Sequence, residues 1–262
     1  MEWQMRKIDR SRRRFITMVT AGALMPLPGT SRAGPSASVP IKAVAFDAFP
    51  IFDPRSIFAA AKQRFPQHGD AISELWFAKL FPYTWLRTTA RQYAGFEVVA
   101  AEAFDAAAAT LDITATAADR DALIGAFSQM ALWPDVVERL GELKKRGLRL
   151  AFLSNLSETM LRANMRRTGI EPFFEAALST DRVRAFKPAP EAYRLGVEAF
   201  GLRKEEVAFA AFAAWDAAGA SWFGYPTAWV NRLGQRDETF GTSPMVIGRD
   251  LAVLNELLGR SD

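Results

Sequence analysis

The sequence of 262 residues contains no cysteine and a single histidine. The first absence removes disulfides, thiolate nucleophiles and cysteine metal sites. The histidine, His68, lies in a polar loop, Pro66-Gln67-His68-Gly69-Asp70, where a lone imidazole is more often a surface residue than a catalyst. A Ser-His-Asp triad would have to run through it, and no serine stands in a nucleophile-elbow pattern. Chemistry is left to carboxylates, lysine, tyrosine and hydroxyls. No GxGxxG fingerprint follows an apolar run, which argues against a dinucleotide. A surplus of positive charge is also missing once the first residues are set aside. Residues 1–33 hold seven of the 33 Lys/Arg and two of the 29 Asp/Glu, which leaves 26 against 27 and a net charge of −1. The rest of the chain therefore gives no reason to expect nucleic acid or an anionic membrane as partner.

What is present begins with that basic segment. Ser11-Arg12-Arg13-Arg14-Phe15-Ile16-Thr17 leads into an apolar stretch, Phe15 to Leu27, too short to span a bilayer. Small residues follow, with Ser31-Arg32-Ala33 as a cleavage point. The Ser-Arg-Arg-x-Phe-Ile core resembles a twin-arginine signal, an address read by the export machinery. Residues 1–33 are accordingly expected to be an export signal. The mature protein would then be periplasmic or secreted, with no membrane span. Residues 34–40 read as a linker.

Beyond it the pattern is that of an α/β protein, a Rossmann-like parallel sheet with an inserted helical cap. Val44 to Phe46 reads as a buried strand whose ladder is ended by Pro50, and helical periodicity then runs for about eighty residues. Its segments are Ile57–Phe65, Ala71–Tyr93, Glu97–Ala109 and one opened by Thr116, with Asp119 three residues on as in a capping box. Pro82 is expected to kink the second segment. From Trp133 onward strands and helices alternate: a helix over Asp135–Arg146, a strand at Leu148–Leu153, a helix over Glu158–Thr168, strands at Ala176–Leu178, Val207–Phe212 and Thr227–Val230, and helices reaching Phe200 and Leu258. Such alternation implies a parallel sheet. The organisation expected is 34–54 and 132–262 as the α/β core, and 55–131 as the helical cap.

Asp47 stands where the first strand ends. The carboxylate admits two readings, a cap on the following turn or a nucleophile that forms an ester with substrate. Three further polar groups fall at or after strand ends: Ser154-Asn155, Lys187 and Asp216. In a parallel sheet those ends share one edge, so the four can converge on one pocket. A lysine between two carboxylates would keep a nucleophilic Asp ionised and support developing charge.

The order Phe46-Asp47, Leu153-Ser154-Asn155, Phe186-Lys187-Pro188 and Ala214-Trp215-Asp216 resembles the haloacid dehalogenase superfamily, and within it the L-2-haloacid dehalogenase (type II) branch. Tyr83 to Arg87, Leu178 to Asp181, Tyr193, Trp215 to Ala220, Trp222 to Thr227 and Trp229 to Arg232 follow the style of that branch, so the likeness covers about residues 41–240. It implies that Asp47 attacks C2 of a small (S)-2-halo acid, displaces halide with inversion, and is freed when water hydrolyses the ester. No metal or other cofactor is implied. Ser154 would hold the substrate carboxylate, Lys187 and Asp216 would orient Asp47, and Tyr193 would join the polar network. Phe49 and Phe77 join Ser154, Asn155 and Tyr193 as substrate-contact candidates. Branch members are commonly homodimers, and the apolar segment 71–93 could supply such an interface.

The chain departs from the branch at several positions. Ile51 stands for a threonine, Phe77 for the arginine that serves the leaving halide, Ala211 and Ala213 for serine and asparagine, and Phe49-Pro50 for Tyr-Gly. Lys79, Arg87 and Arg91 are the cations near enough in sequence to stand in for the arginine. Two alternatives to an active dehalogenase follow. One is a binding protein that keeps the fold without turnover. The other is a phosphatase-type hydrolase, which would want an acid two residues after Asp47, where Phe49 has no proton to give.

Overall fold

A computed structural model of the chain describes residues 39–238 and 240–259. The segment 1–33, expected to be an export signal, lies outside the described residues. The sheet is built on β1 (Ala43–Phe46), whose alternating side chains face two separate cores. Val44 and Phe46 join a large aromatic and aliphatic cluster; Ala43 and Ala45 join a second one containing Tyr193, Phe209 and Trp229. Period-two alternation with both faces buried explains why the strand reads as a continuous apolar run.

β2 (Phe52–Asp53) pairs antiparallel with β3 (Ala131–Leu132) as a separate two-stranded ribbon. Between them run four helices: α1 (Arg55–Arg64), α2 (Gly69–Thr89), α3 (Phe96–Thr110) and α4 (Ala117–Ala126). The small side chains Ala100, Ala103 and Ala107 are buried on α3, and Trp76 of α2 donates its indole N–H to the Ala100 carbonyl at 2.8 Å. Arg87 ties α2 to Glu102 of α3, and Arg64 ties α1 to Asp119. The capping box that opens α4 is present, with Thr116 and Asp119 bonded reciprocally. α2 continues through Pro82 to Thr89, so the proline interrupts no element, although it withholds one N–H from the helix.

The remaining elements are α5 (Val136–Lys145), β4 (Arg149–Ser154), α6 (Glu158–Thr168), β5 (Ala176–Ser179), α7 (Pro190–Phe200), β6 (Val207–Ala211), α8 (Ala214–Phe223), β7 (Thr227–Val230), β8 (Val246–Gly248) and α9 (Val253–Gly259). α6 starts on a Ser157 side-chain cap and stops at Gly169, which adopts φ 73°, a conformation that favours glycine. The six strands lie in the order β5-β4-β1-β6-β7-β8 and every neighbouring pair is parallel. β1 is therefore flanked by β4 and β6, where connections leave in opposite directions along the sheet, the place at which open α/β sheets bind ligands.

The α/β class and the parallel sheet agree with the sequence reading. Four elements escaped it. The ribbon strands have two residues each, too few for alternation to register. β8 has three residues. α8 begins two residues after β6 and is rich in alanine with a glycine inside, so its start reads as a loop.

Candidate active site

Asp47 follows the last residue of β1 and its backbone N–H continues the ladder by donating to the Ala210 carbonyl at 3.0 Å. The carboxylate thus sits at a rigid strand end between β4 and β6. Lys187, in the loop that leads into α7, brings its ammonium 2.8 Å from Asp47 Oδ1 and 2.7 Å from Asp216 Oδ2. It also donates to the Leu153 carbonyl at 3.2 Å. Asp216 lies in the first turn of α8, where a negative charge is favoured by the orphan N–H groups of the helix start. Ser154 closes β4 and its hydroxyl is 3.3 Å from Asp47 Oδ1, while the Phe49 N–H donates to Asp47 Oδ2 at 3.2 Å.

Burial sets the electrostatics. Lys187 and Asp216 are each 1% exposed and Asp47 is 8% exposed. Burial alone would lower the Lys187 pKa, but Asp216 and Asp47 outweigh it and hold the ammonium above its ordinary range. Burial, together with the nearby charge of Asp47, pushes Asp216 up to about 6 against the pull of Lys187. The lysine is therefore fixed as a cation, and a third charge balances two carboxylates only in part. The phenol of Tyr193 is raised well above its ordinary value by burial and by Asp216, so it acts as a neutral donor. It donates to Asp216 Oδ1 at 2.7 Å, and Tyr225 in turn donates to the Tyr193 carbonyl at 2.5 Å.

These groups form the floor of a cavity of about 340 Å³. Asp47, Ser154, Asn155, Lys187 and Asp216 line it, and so do Phe49 and Phe77. Tyr193 does not. It is 0% exposed behind Asp216, so its assignment as a substrate contact is corrected: the hydroxyl is spent on Asp216 and braces that carboxylate from behind. Asn155 accepts the Lys187 backbone N–H on Oδ1 at 2.9 Å, which fixes the amide orientation. Its Nδ2 is buried and has no hydrogen-bond partner among the described residues. A buried donor in that state favours a ligand that can accept from it.

The walls are aromatic. Phe77 packs edge-on to Phe58 at 4.7 Å and stacks on Phe127 at 5.9 Å; Phe81 meets Trp215 at 5.4 Å and Phe49 meets Phe212 at 5.6 Å. Ala213, the N-terminal flank of α8, also lines the cavity, whereas Ala211 and Ile51 are fully buried and do not. Among the described residues Lys187 is the one cation lining the cavity. Lys79, Arg87 and Arg91 do not reach it, and Arg87 is committed to Glu102 and the Gln92 carbonyl. Among the described residues no three acidic or imidazole side chains gather in a group that could hold a metal ion. The wall residues Phe58, Phe81, Phe96 and Phe212, with Leu233, Gln235 and Glu238 from the segment after β7, were not legible in the sequence. The apolar ones among them read equally as core.

Two supports fix the loop after Asp47. Trp133 donates its indole N–H to the Phe49 carbonyl at 2.9 Å, and Arg232 donates to the Pro50 carbonyl at 2.7 Å. Arg232 is held by Asp135 at 2.5 Å and stacks over Trp133.

A charged floor at a strand end can hold a nucleophilic carboxylate ready for attack on an acid bound beneath apolar walls. A family model for haloacid dehalogenase-like hydrolases matches residues 41–224. The (S)-2-haloacid dehalogenase of Pseudomonas sp. (strain YL) is 37% identical over 205 residues, covering 78% of this chain and 88% of that protein. A crystal structure of an L-2-haloacid dehalogenase superposes with a TM-score of 0.80 at 35% identity, over 85% of this chain and 99% of the other. The L-2-haloacid dehalogenase of Xanthobacter autotrophicus, solved with chloropropionic acid covalently bound, is 31% identical with a TM-score of 0.77, over 84% of this chain and 98% of that one. On these grounds, the chain belongs to the haloacid dehalogenase-like hydrolases and, among them, to the L-2-haloacid dehalogenase family.

Proposed function

We propose that the protein hydrolyses the carbon–halogen bond of (S)-2-halo acids through an ester on Asp47. The observation that carries this is the buried ammonium of Lys187, 2.8 Å from Asp47 Oδ1 and 2.7 Å from Asp216 Oδ2, at the floor of a cavity. Asp47 supplies the nucleophilic oxygen, and its second oxygen is held by the Phe49 N–H. Ser154 and the free Nδ2 of Asn155 are the donors for the acid group of the substrate. The C2–halogen bond breaks as the Asp47 oxygen–C2 bond forms, and halide leaves as an anion without a proton. Water then adds at the Asp47 carbonyl, releasing the 2-hydroxy acid and restoring the carboxylate. Lys187 offsets charge in both steps and Asp216, braced by Tyr193, holds Lys187. Helices α1 to α4 act as the cap over this edge, with residues 34–54 and 132–262 as the core. Relatives named for this activity and the covalent chloropropionic acid complex support the reading.

The test is halide release from (S)-2-chloropropionate. Wild type is expected to release halide and Asp47→Asn to fall by a factor of at least about 10³, the loss of the attacking group. Equal release from both contradicts the reading. A second reading, a binding protein without turnover, is favoured by one observation: the position of the family's halide-side arginine carries Phe77, and no other arginine lines the cavity among the described residues. It predicts binding of 2-chloropropionate without halide. For the phosphatase-type alternative, Phe49 offers only its backbone to Asp47 and packs its ring on Phe212.

We also propose export of the folded protein by the twin-arginine machinery, with a periplasmic or secreted mature form, on the Arg12-Arg13 motif of residues 1–33. Replacement of both arginines by lysine is expected to leave the protein in the cytoplasmic fraction; unchanged periplasmic recovery contradicts it. Among the described residues no helix is long and apolar enough to cross a membrane. A homodimer through the outer face of α2, where Leu86 is 64% exposed, is proposed on the family habit and is checked by light scattering, a monomer mass being the contrary result.

A further inference from the structure

Aromatic rings from several elements line the cavity above its floor. Phe58 comes from α1, Phe77 and Phe81 from α2, Phe96 from α3, Phe212 from the loop between β6 and α8, and Trp215 from the first turn of α8. They do not merely pack against one another. Phe77 meets Phe58 edge-on at 4.7 Å, and Phe81 tilts over Trp215 at 5.4 Å, so the rings form a connected apolar surface with edges and faces open to the cavity. The polar lining is Asp47, Ser154, Asn155, Lys187 and Asp216 at the sheet edge, with Gln235 and Glu238 from the segment after β7. The other charged residue at the cavity is Glu238, an acid that repels a carboxylate. An acid substrate is thus oriented with its carboxylate on the floor and its C2 substituent against the rings.

Size points the same way. At ~30 Å³ per non-hydrogen atom, the share of a liquid water, 2-bromopropionate takes at most roughly 180 Å³ and 2-bromo-3-phenylpropionate at most roughly 360 Å³, upper bounds because bonded carbons occupy less than separate waters. The cavity offers about 340 Å³. A methyl substituent leaves the wall unsatisfied, whereas a benzyl group fills it and can adopt the edge-to-face or offset arrangements that aromatic rings prefer.

We propose that the site selects 2-halo acids carrying an aromatic ring on C3, with Phe77, Phe81 and Trp215 as the residues that set this preference. This rests on the reading of Asp47 as the nucleophile. Phe77 is then part of the device that recognises the substrate side chain, and its ring replaces a cation by an apolar surface.

The experiment compares kcat/KM for halide release from (S)-2-bromo-3-phenylpropionate and (S)-2-bromopropionate, alongside calorimetric binding of the unhalogenated 3-phenylpropionate and propionate. The phenyl substrate is expected to be turned over about tenfold or more faster by kcat/KM, and 3-phenylpropionate to bind correspondingly tighter. Phe81→Leu, which keeps an apolar side chain and removes the ring, is expected to lower both ratios about threefold. Release from 2-bromopropionate with no gain for the phenyl compound overturns the proposal. Halide from neither substrate, with 3-phenylpropionate still bound in preference, overturns hydrolysis and upholds the aromatic-acid site. Equal binding of the two unhalogenated acids overturns the proposal whatever the turnover.

Discussion

Lys187 meets both Asp47 and Asp216 with 1% of its surface exposed, so the three charges form one buried set at the cavity floor. Removing one partner of such a buried set leaves an uncompensated charge, typically costing about 3–5 kcal/mol. Asp216 adds a dependence on pH. Its carboxyl moves from the ordinary 3.8 up to about 6, so the folded protein takes up a proton more readily than the unfolded chain. The stability from this group is fully present below pH 3.8 and is lost as pH rises through about 6. Asp216→Asn has no such proton to bind. Urea unfolding between pH 4 and 7 is therefore expected to show wild-type stability falling relative to the variant as pH increases; parallel curves contradict the assignment. Of the site residues, Asp47, Ser154, Lys187 and Asp216 were legible because charge or hydroxyl at strand ends has a chemical meaning in sequence. Tyr193 was legible as a member of the network, but not its position behind Asp216, which only the packing of α7 on α8 decides.

That packing is a property of elements. Gly219 lies in α8, and a Cβ there would stand 2.5 Å from the Tyr193 hydroxyl and 2.8 Å from Pro188. α8 therefore approaches α7 closely enough for Asp216 in its first turn to reach both Tyr193 and Lys187. Gly219→Ala is expected to push the helices apart, lowering kcat by about tenfold or more while the melting temperature drops by several degrees. A variant with a lower melting temperature and full kcat places the constraint on stability alone. The helical boundaries came through in sequence wherever caps carry a side-chain signature, as at Thr116 with Asp119 and at Ser157. α8 lacks one, because Ala213 at its N-terminal flank has no side-chain cap. The four helices between β2 and β3 were visible as a block. That Phe58, Phe77, Phe81 and Phe96 would face a cavity was not, since periodicity locates an apolar face without saying what covers it.

At the scale of the molecule, the described residues form one compact unit, and one core joins Trp76 and Phe104 of the helical block to Val44 and Phe46 of β1. Ties cross between these parts at the loops that matter. Thr88 of α2 accepts the Phe186 N–H at 3.0 Å beside Lys187, Tyr93 bonds Asp181, and Ser157 bonds Glu97. Trp133 and Arg232 hold the carbonyls just after Asp47. The parallel sheet was foreseeable from strand–helix alternation, and its order was not, because order depends on which crossovers pack rather than on any local signal. The account stands on alkylation of one carboxylate oxygen. A single-turnover reaction in heavy-oxygen water, with protein in excess over (S)-2-halo acid, tests this most directly. Peptide mass analysis is expected to find the label in Asp47 and none in the 2-hydroxy acid. Label in the product with none in Asp47 would mean that water attacks C2 itself, and the ester would have to be abandoned.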